Sequence, residues 1–290
     1  MYHLLLSLRP RQWVKNLFVL AALIFSRHLL DIAYLGKAIA AVGCFLAVSG
    51  AVYLLNDVLD RDKDRLHPEK KARPVAAGTL SVATALVSAS LLMVLGIWGA
   101  YQLRDVFGHV VFFYAALNVL YSWRLKDLVL IDVIMVATGF LLRALGGAVV
   151  IEVAISTWFI LCTFTLTLFL ATVKRRQELV RLGEGASGHR PSLGGYGLPY
   201  LDQVISILTS ATLVCYALYA MGVGEAGEVS RQMQWTIPFV LYGILRYLYV
   251  VYQAEGGEDP TAILWQDRPL QVTLLLWVLT GVAALYAPSW

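Results

Sequence analysis

The chain is short of charge. Only 14% of its 290 residues are Asp, Glu, Lys or Arg, while 59% are hydrophobic and the mean hydropathy is +0.69. A soluble domain carries roughly 25% charged residues. This sequence cannot clothe a globule of its size in polar surface, which excludes a water-soluble fold and points to a lipid environment. Cysteine is scarce too. Cys44, Cys162 and Cys215 lie far apart inside apolar runs. An odd count without metal-ligand spacing excludes a disulfide framework and a zinc site, so the three read as small core residues. No fixed-period repeat, low-complexity tract or composition shift marks a second domain.

What is present is apolar sequence in long runs. About 20 residues cross a bilayer as a helix. Nine such runs lie near 14–30, 36–56, 79–103, 107–123, 129–150, 154–173, 202–222, 236–253 and 271–288. Backbone groups in hydrocarbon must be satisfied within the segment, so these runs are helices rather than strands. Eight Trp and fifteen Tyr suit helix ends at bilayer interfaces. The basic start RPRQWVKN leads into LFVLAALIF, which could mimic a secretion signal. It lacks a convincing small-residue cleavage site, and it reads as the first membrane helix.

Lys and Arg set the orientation. With a cytoplasmic N-terminus, seventeen fall on the inner side and four on the outer, with Arg143 and Arg246 inside spans. The expectation is a multi-pass protein of the cell (inner or plasma) membrane, N-terminus cytoplasmic and C-terminus outside. Both long polar loops, 57–78 and 174–201, then lie on the inner face. The whole of 1–290 reads as one transmembrane domain, and homo-oligomerisation stays open.

The second apolar run ends in a knot of acid, NDVLDRDKD, residues 56–64. If the helix continues past Leu55, then Asp57, Asp60 and Asp64 share one face within about 60° of arc, while Asp62 points elsewhere. Stacked carboxylates at the membrane boundary repel and are poorly solvated. Mg2+ relieves both; it takes oxygen ligands and is usually held by one or two carboxylates plus substrate phosphates. The plainer alternative is a salt-bridged helix end with Arg61, Lys63 and Arg65. The following HPEKKARPVAAG, residues 67–78, brings Lys70, Lys71 and Arg73 near the acids. Such cations suit a metal-bridged diphosphate, or they are plain inner-face topology charges.

These residues carry a resemblance. NDxxDxxxD at the end of the second of nine helices resembles the first acidic motif of the UbiA superfamily of membrane prenyltransferases. RPRQWVKN, HPEKKARPVAAG, YSWRLK, RALGG in the fifth helix and KRRQEL after the sixth resemble its decaprenyl-phosphate (polyprenyl-phosphate) phosphoribosyltransferase branch, from Arg9 to about Asp202. The resemblance implies an all-α bundle of nine transmembrane helices with a cytoplasmic-side cavity. It implies Mg2+-dependent transfer of 5-phosphoribose from phosphoribosyl pyrophosphate to a polyprenyl phosphate, releasing pyrophosphate. In some bacteria that product feeds arabinose donors for cell-wall polymers. Asn56, Asp57, Asp60 and Asp64 would hold metal and diphosphate; Lys15, Arg73, Lys126, Lys174 and Arg175 would contact phosphate. The partners are lipid and sugar donor, not nucleic acid.

The second long loop distinguishes the branches. Ordinary members of the superfamily carry a second acidic motif of DxxxD type after the sixth helix. Here the loop has Glu178, Glu184 and Asp202 but no DxxxD, and Lys174, Arg175, Arg176, Arg181 and Arg190 dominate it. A prenyl diphosphate with a neutral acceptor brings one diphosphate. A phosphoribosyl donor with a phosphorylated acceptor brings more anion and needs more cation, and Arg suits bidentate phosphate grips. A stop-transfer cluster is the plain alternative. Glu178, one turn from Lys174, would orient it or bind ribose hydroxyls, or is a surface pair. SLGGYGLPYLD reads as a lid carrying Tyr196 and Asp202, or as a connector. Arg143, inside a span, should face the interior and pair with Asp132 or an acceptor phosphate. Asn118 and Tyr121 would line the cavity or bond within the core. The competing functions are prenyl transfer to an aromatic acceptor and, from another class, ion transport, although transporter sites sit near the midplane.

Overall fold

The computed structural model describes residues 2–66, 70–183, 190–223, 231–253, 263–264 and 266–286. His67, Pro68, Glu184 and the end of the last expected span lie outside them. Among the described residues the secondary structure is entirely helical. In chain order it comprises α1 (Tyr2–Ser7), a 3-10 segment (Pro10–Leu20), α2 (Ala21–Phe25), α3 (Ile32–Leu59), α4 (Arg61–Leu66), α5 (Val82–Leu103), α6 (Asp105–Trp123) and α7 (Ile131–Ile151). Then follow α8 (Thr157–Leu182), α9 (Leu198–Ala220), α10 (Ile237–Gln253) and α11 (Arg268–Tyr286).

Eight helices among the described residues are long and apolar enough to cross a membrane. They fall where eight of the nine runs predict them. The ninth expectation, a first span at 14–30, meets a different structure: the eleven-residue 3-10 segment and the five-residue α2. The cause is legible in RPRQWVKN. Pro10 opens the segment, and Asn16 is turned into the core rather than out to lipid. The nine-helix expectation therefore stands at eight membrane-length helices among the described residues.

Local chemistry sets the helix starts. The Asp31 carboxylate accepts the Ala33 amide (2.9 Å) ahead of α3, Ser81 accepts the Thr84 amide (3.0 Å) ahead of α5, and Ser156 accepts the Phe159 amide (3.2 Å) ahead of α8. Each satisfies an N-terminal N–H that the helix itself cannot. All three cysteines are free and half-exposed.

The chain forms two compact units: residues 1–154 with 189–192, and 155–188 with 193–290. In the first, α3 packs along α5, and the core is built from Phe45, Leu54, Phe107 and Tyr114. Small residues permit the close approaches expected of helices in lipid. A Cβ on Gly96 of α5 would stand 2.7 Å from Val48 Cγ2, and one on Gly147 of α7 only 1.9 Å from the Val19 carbonyl oxygen. Gly147 thus seats the 3-10 segment directly against α7. In the second unit Phe169, Ile205, Ile244, Tyr247 and Val251 form the core. There the half-exposed Arg246 is bidentate to Asp267 (2.8 and 3.2 Å), which gives a charge placed in a span its counter-charge.

Gly147→Ala should therefore unseat the N-terminal segment. Overpacking of this kind costs about 1–3 kcal/mol. The expected result is a clearly lowered melting temperature in detergent; an unchanged one would show that the contact yields without cost.

Candidate active site

The acidic motif straddles a helix break. α3 ends at Leu59, and Asp60 caps it with φ −93° and ψ 4°. α4 resumes at once, and the chain of hydrogen bonds persists: Asp60 N–H donates to Asn56 O (2.9 Å), and Asp64 N–H to Asp60 O (2.8 Å). Asp57 and Asp64 are buried, at 2% and 4% exposure, whereas the Asp62 side chain is 91% exposed. The carboxylates do not face open solvent.

Each of the three carboxylates meets a cation, nine residues away for Asp64 but 48 and 66 residues away for Asp57 and Asp60. Asp57 accepts from Arg9 Nη2 and, at 3.4 Å, from Arg73 Nη1. The same Arg73 nitrogen donates to Asp64 Oδ2 at 2.7 Å. Lys126 Nζ donates to both oxygens of Asp60, at 2.6 and 2.7 Å. The helix-end alternative named Arg61, Lys63 and Arg65 as partners. Among the described residues, Arg65 is the one of these that makes an ion pair, with the exposed Asp62 (3.8 Å). Lys15 lies half-buried on the 3-10 segment.

Sequence reasoning passed over Arg9. It has φ 52° and ψ 67°, a left-handed conformation for a non-glycine residue ahead of a proline. Such a backbone persists only where its surroundings hold it. Its guanidinium lies 5.0 Å over the Tyr53 ring while it reaches Asp57. The signal available was the RP dipeptide itself.

Arg143 corrects an expectation. It is not paired with Asp132. Its Nε donates to Asn16 Oδ1 (2.9 Å), Nη1 to Gly139 O (3.3 Å) and Nη2 to the Tyr114 hydroxyl (2.5 Å), with the guanidinium over the Tyr114 and Phe140 rings. Three neutral acceptors and two aromatic faces solvate a charge that hydrocarbon would not. Asn16 Nδ2 in turn donates to Ser49 Oγ (3.5 Å), so Arg143 ties α7 to the 3-10 segment, and that segment to α3. Asp132 is fully buried and takes Ser192 Oγ (3.2 Å) and Arg190 (3.8 Å) instead. Asn118 donates to Tyr114 O (2.8 Å) within α6, and the Tyr121 hydroxyl accepts from Arg190 (2.5 Å).

The remaining candidates belong to the second unit. Arg175 is buried and pairs with Glu178 (2.6 Å), and Lys174 beside it is half-buried. Tyr196 packs with Leu193 and Leu201 and stacks on Tyr200 at 6.4 Å. Asp202 accepts from Arg176 (2.5 Å) and from the Tyr252 hydroxyl (2.6 Å).

With this geometry in hand, comparisons place the chain. Residues 16–266 match the UbiA prenyltransferase family. The chain belongs to that family. UbiA relatives include a decaprenyl-phosphate phosphoribosyltransferase of Mycolicibacterium smegmatis, 34% identical over 98% of this chain and 92% of its own. A protein of the same name from Mycobacterium tuberculosis is 35% identical over 96% and 92%. A digeranylgeranylglyceryl phosphate synthase of Methanothermobacter thermautotrophicus is 27% identical over 82% and 81%. Among solved structures, a UbiA homologue from Archaeoglobus fulgidus bound to GPP and Mg2+ shares the fold, with TM-score 0.74 at 19% identity over 98% and 99% of the two chains.

The Asn56 amide carbonyl and the carboxylates of Asp57, Asp60 and Asp64 supply oxygen atoms, the ligand type that Mg2+ takes. Among the described residues no three Asp, Glu, His or Cys side chains form a ready metal cage, and basic groups stand against the carboxylates. The donors fit in kind, and in this structure each of the three carboxylates is paired with Arg9, Arg73 or Lys126. Arg73→Gln leaves Asp64 without its cation. With Arg9 still facing Asp57, the expected loss is about 2 kcal/mol, below the 3–5 of a fully broken buried pair. Chemical denaturation in detergent measures it, and wild-type stability would contradict the pairing.

Proposed function

We propose that this UbiA-family protein is a polyprenyl-phosphate phosphoribosyltransferase. It moves 5-phosphoribose from phosphoribosyl pyrophosphate to a polyprenyl phosphate and releases pyrophosphate. The likeness to decaprenyl-phosphate phosphoribosyltransferases over nearly the whole chain carries this reading. The cation-matched acidic motif supports it.

Asn56, Asp57, Asp60 and Asp64 would hold Mg2+, in keeping with the Mg2+ named for the Archaeoglobus homologue. When bound, Mg2+ supplies Lewis-acid polarisation of the pyrophosphate leaving oxygen and neutralises its charge. Arg9, Arg73 and Lys126, which pair with those carboxylates, would be the groups to grip diphosphate oxygens. They would steady the negative charge that grows as the C1–O bond breaks. The lipid phosphate is an anion near neutral pH and attacks the anomeric carbon without a strong general base. Lys15, Arg143, Lys174 and Arg175 remain proposed phosphate contacts, and Glu178, Tyr196, Asn118 and Tyr121 proposed ribose or lid contacts, on the resemblance alone. For Arg143 the neutral shell around it makes a structural role the stronger one. The proposed site opens to the cytoplasm, with the N-terminus on that side.

Labelled phosphoribosyl pyrophosphate, polyprenyl phosphate and Mg2+ should give lipid-linked label with the purified protein. Asp60→Ala should lose transfer by a thousandfold or more, while remaining folded in detergent and leaving Lys126 free. Turnover of geranylgeranyl diphosphate with no lipid-linked phosphoribose would assign the prenyl-transfer chemistry instead. Wild-type rates from Asp60→Ala would move the site elsewhere.

A further inference from the structure

Lys126 owes its position to a segment more than sixty residues further on. It sits in the short 3-10 turn Leu125–Asp127, within the connection from α6 to α7. That connection is strained: Leu130 has φ 66° and ψ −41°, a costly conformation for a residue with a side chain. A strained turn keeps its shape when neighbours over-determine it. Here the neighbours are Arg190 and Ser192. Both donate to the Lys126 carbonyl oxygen, Arg190 through Nε (3.1 Å) and Ser192 through Oγ (3.1 Å). One carbonyl accepts two bonds and is then saturated.

The two donors are themselves held. The Ser192 proton is shared with Asp132 Oδ2 (3.2 Å), and both Ser192 and Asp132 are fully buried. Arg190 Nη2 donates to the Tyr121 hydroxyl (2.5 Å), its guanidinium 5.8 Å from that ring's centre, and Nε lies 3.8 Å from Asp132 Oδ2. The latch thus grips α6 at Tyr121, α7 at Asp132, and the turn between them at Lys126. The free end of Lys126 emerges from that clamp onto Asp60.

We propose that Arg190 and Ser192 are positioning residues for diphosphate binding, acting through the backbone of Lys126. They hold the turn so that the Lys126 amine stands at Asp60, within the acidic motif, where it would meet a diphosphate oxygen. The proposal rests on the site's taking a metal diphosphate, not on which group the diphosphate carries. A latch that served stability alone would make the same bonds without this consequence, and a double-mutant cycle separates the two.

Binding of Mg2+-pyrophosphate to the full chain in detergent is measured by calorimetry for wild type, Ser192→Ala, Lys126→Ala and the double variant. Ser192→Ala should weaken binding roughly three- to tenfold, the effect of one hydrogen bond. In the Lys126→Ala background it should weaken binding no further. Arg190→Lys keeps the charge beside Asp132 but loses the planar Nε donor, and should behave the same way. Wild-type affinity in Ser192→Ala and Arg190→Lys, or an equal loss with and without Lys126, overturns the proposal. So does a wild type that does not bind Mg2+-pyrophosphate. A wild type that binds it but transfers a prenyl group overturns the donor assignment and leaves the latch standing.

Discussion

Buried carboxylates need counter-charge, and in this chain they sit at the end of an apolar helix where water can supply little of it. Asp57 and Asp64 are nearly inaccessible, and Asp60 is gripped on both oxygens. Leaving one unpaired would cost several kcal/mol. The first unit meets that demand with cations from three separate segments: Arg9 near the N-terminus, Arg73 from the loop after α4, and Lys126 from the turn between α6 and α7. The ion pairs therefore gather sequence-distant pieces around one motif. The same three cations are of the kind that would grip a diphosphate at the proposed site.

The rest of the first unit can be read as support for those cations. Gly147 admits the Val19 carbonyl, and Arg143 anchors Asn16, so the 3-10 segment is fixed to α7 between Arg9 and α2. Arg143 is a charge inside a span that carries no carboxylate partner. Tyr114, Phe140, Asn16 and a backbone carbonyl spread its charge over neutral dipoles and ring faces. The RALGG sequence thus unites two demands within five residues, a buried donor and a position without a Cβ. On the other flank, Arg190 and Ser192 clamp the Lys126 turn.

Much of this was legible in the sequence, and the limits have physical causes. Apolar run length marked eight membrane-length helices, because hydrocarbon forces backbone satisfaction and leaves no other local choice. The first run failed as a regular span because hydropathy averaging hides Asn16, whose role is set by a partner 127 residues away. The spacing of the acidic motif and the exposure of Asp62 followed from helical geometry. Its partners did so only in part: HPEKKARPVAAG brings Arg73 near the acids, where it pairs with Asp57 and Asp64, whereas the pairing of Arg9 and Lys126 with Asp57 and Asp60 is set by the fold. Arg9 was hidden because only its backbone conformation, not its residue type, sets it apart from an ordinary interfacial charge. Ser192 was hidden because a serine in a glycine-rich stretch carries no signal of its own.

At the proposed site the carboxylates would hold metal while the basic ring would hold diphosphate. Mn2+ can replace Mg2+ and scatters anomalously. A crystal structure of the protein with Mn2+ and phosphoribosyl pyrophosphate, recorded at the manganese edge, should place the anomalous peak against Asp57, Asp60 and Asp64. Arg73 and Lys126 should then have moved from carboxylate to phosphate oxygens. A peak remote from these residues, or a bound donor with all three ion pairs intact, would contradict the account.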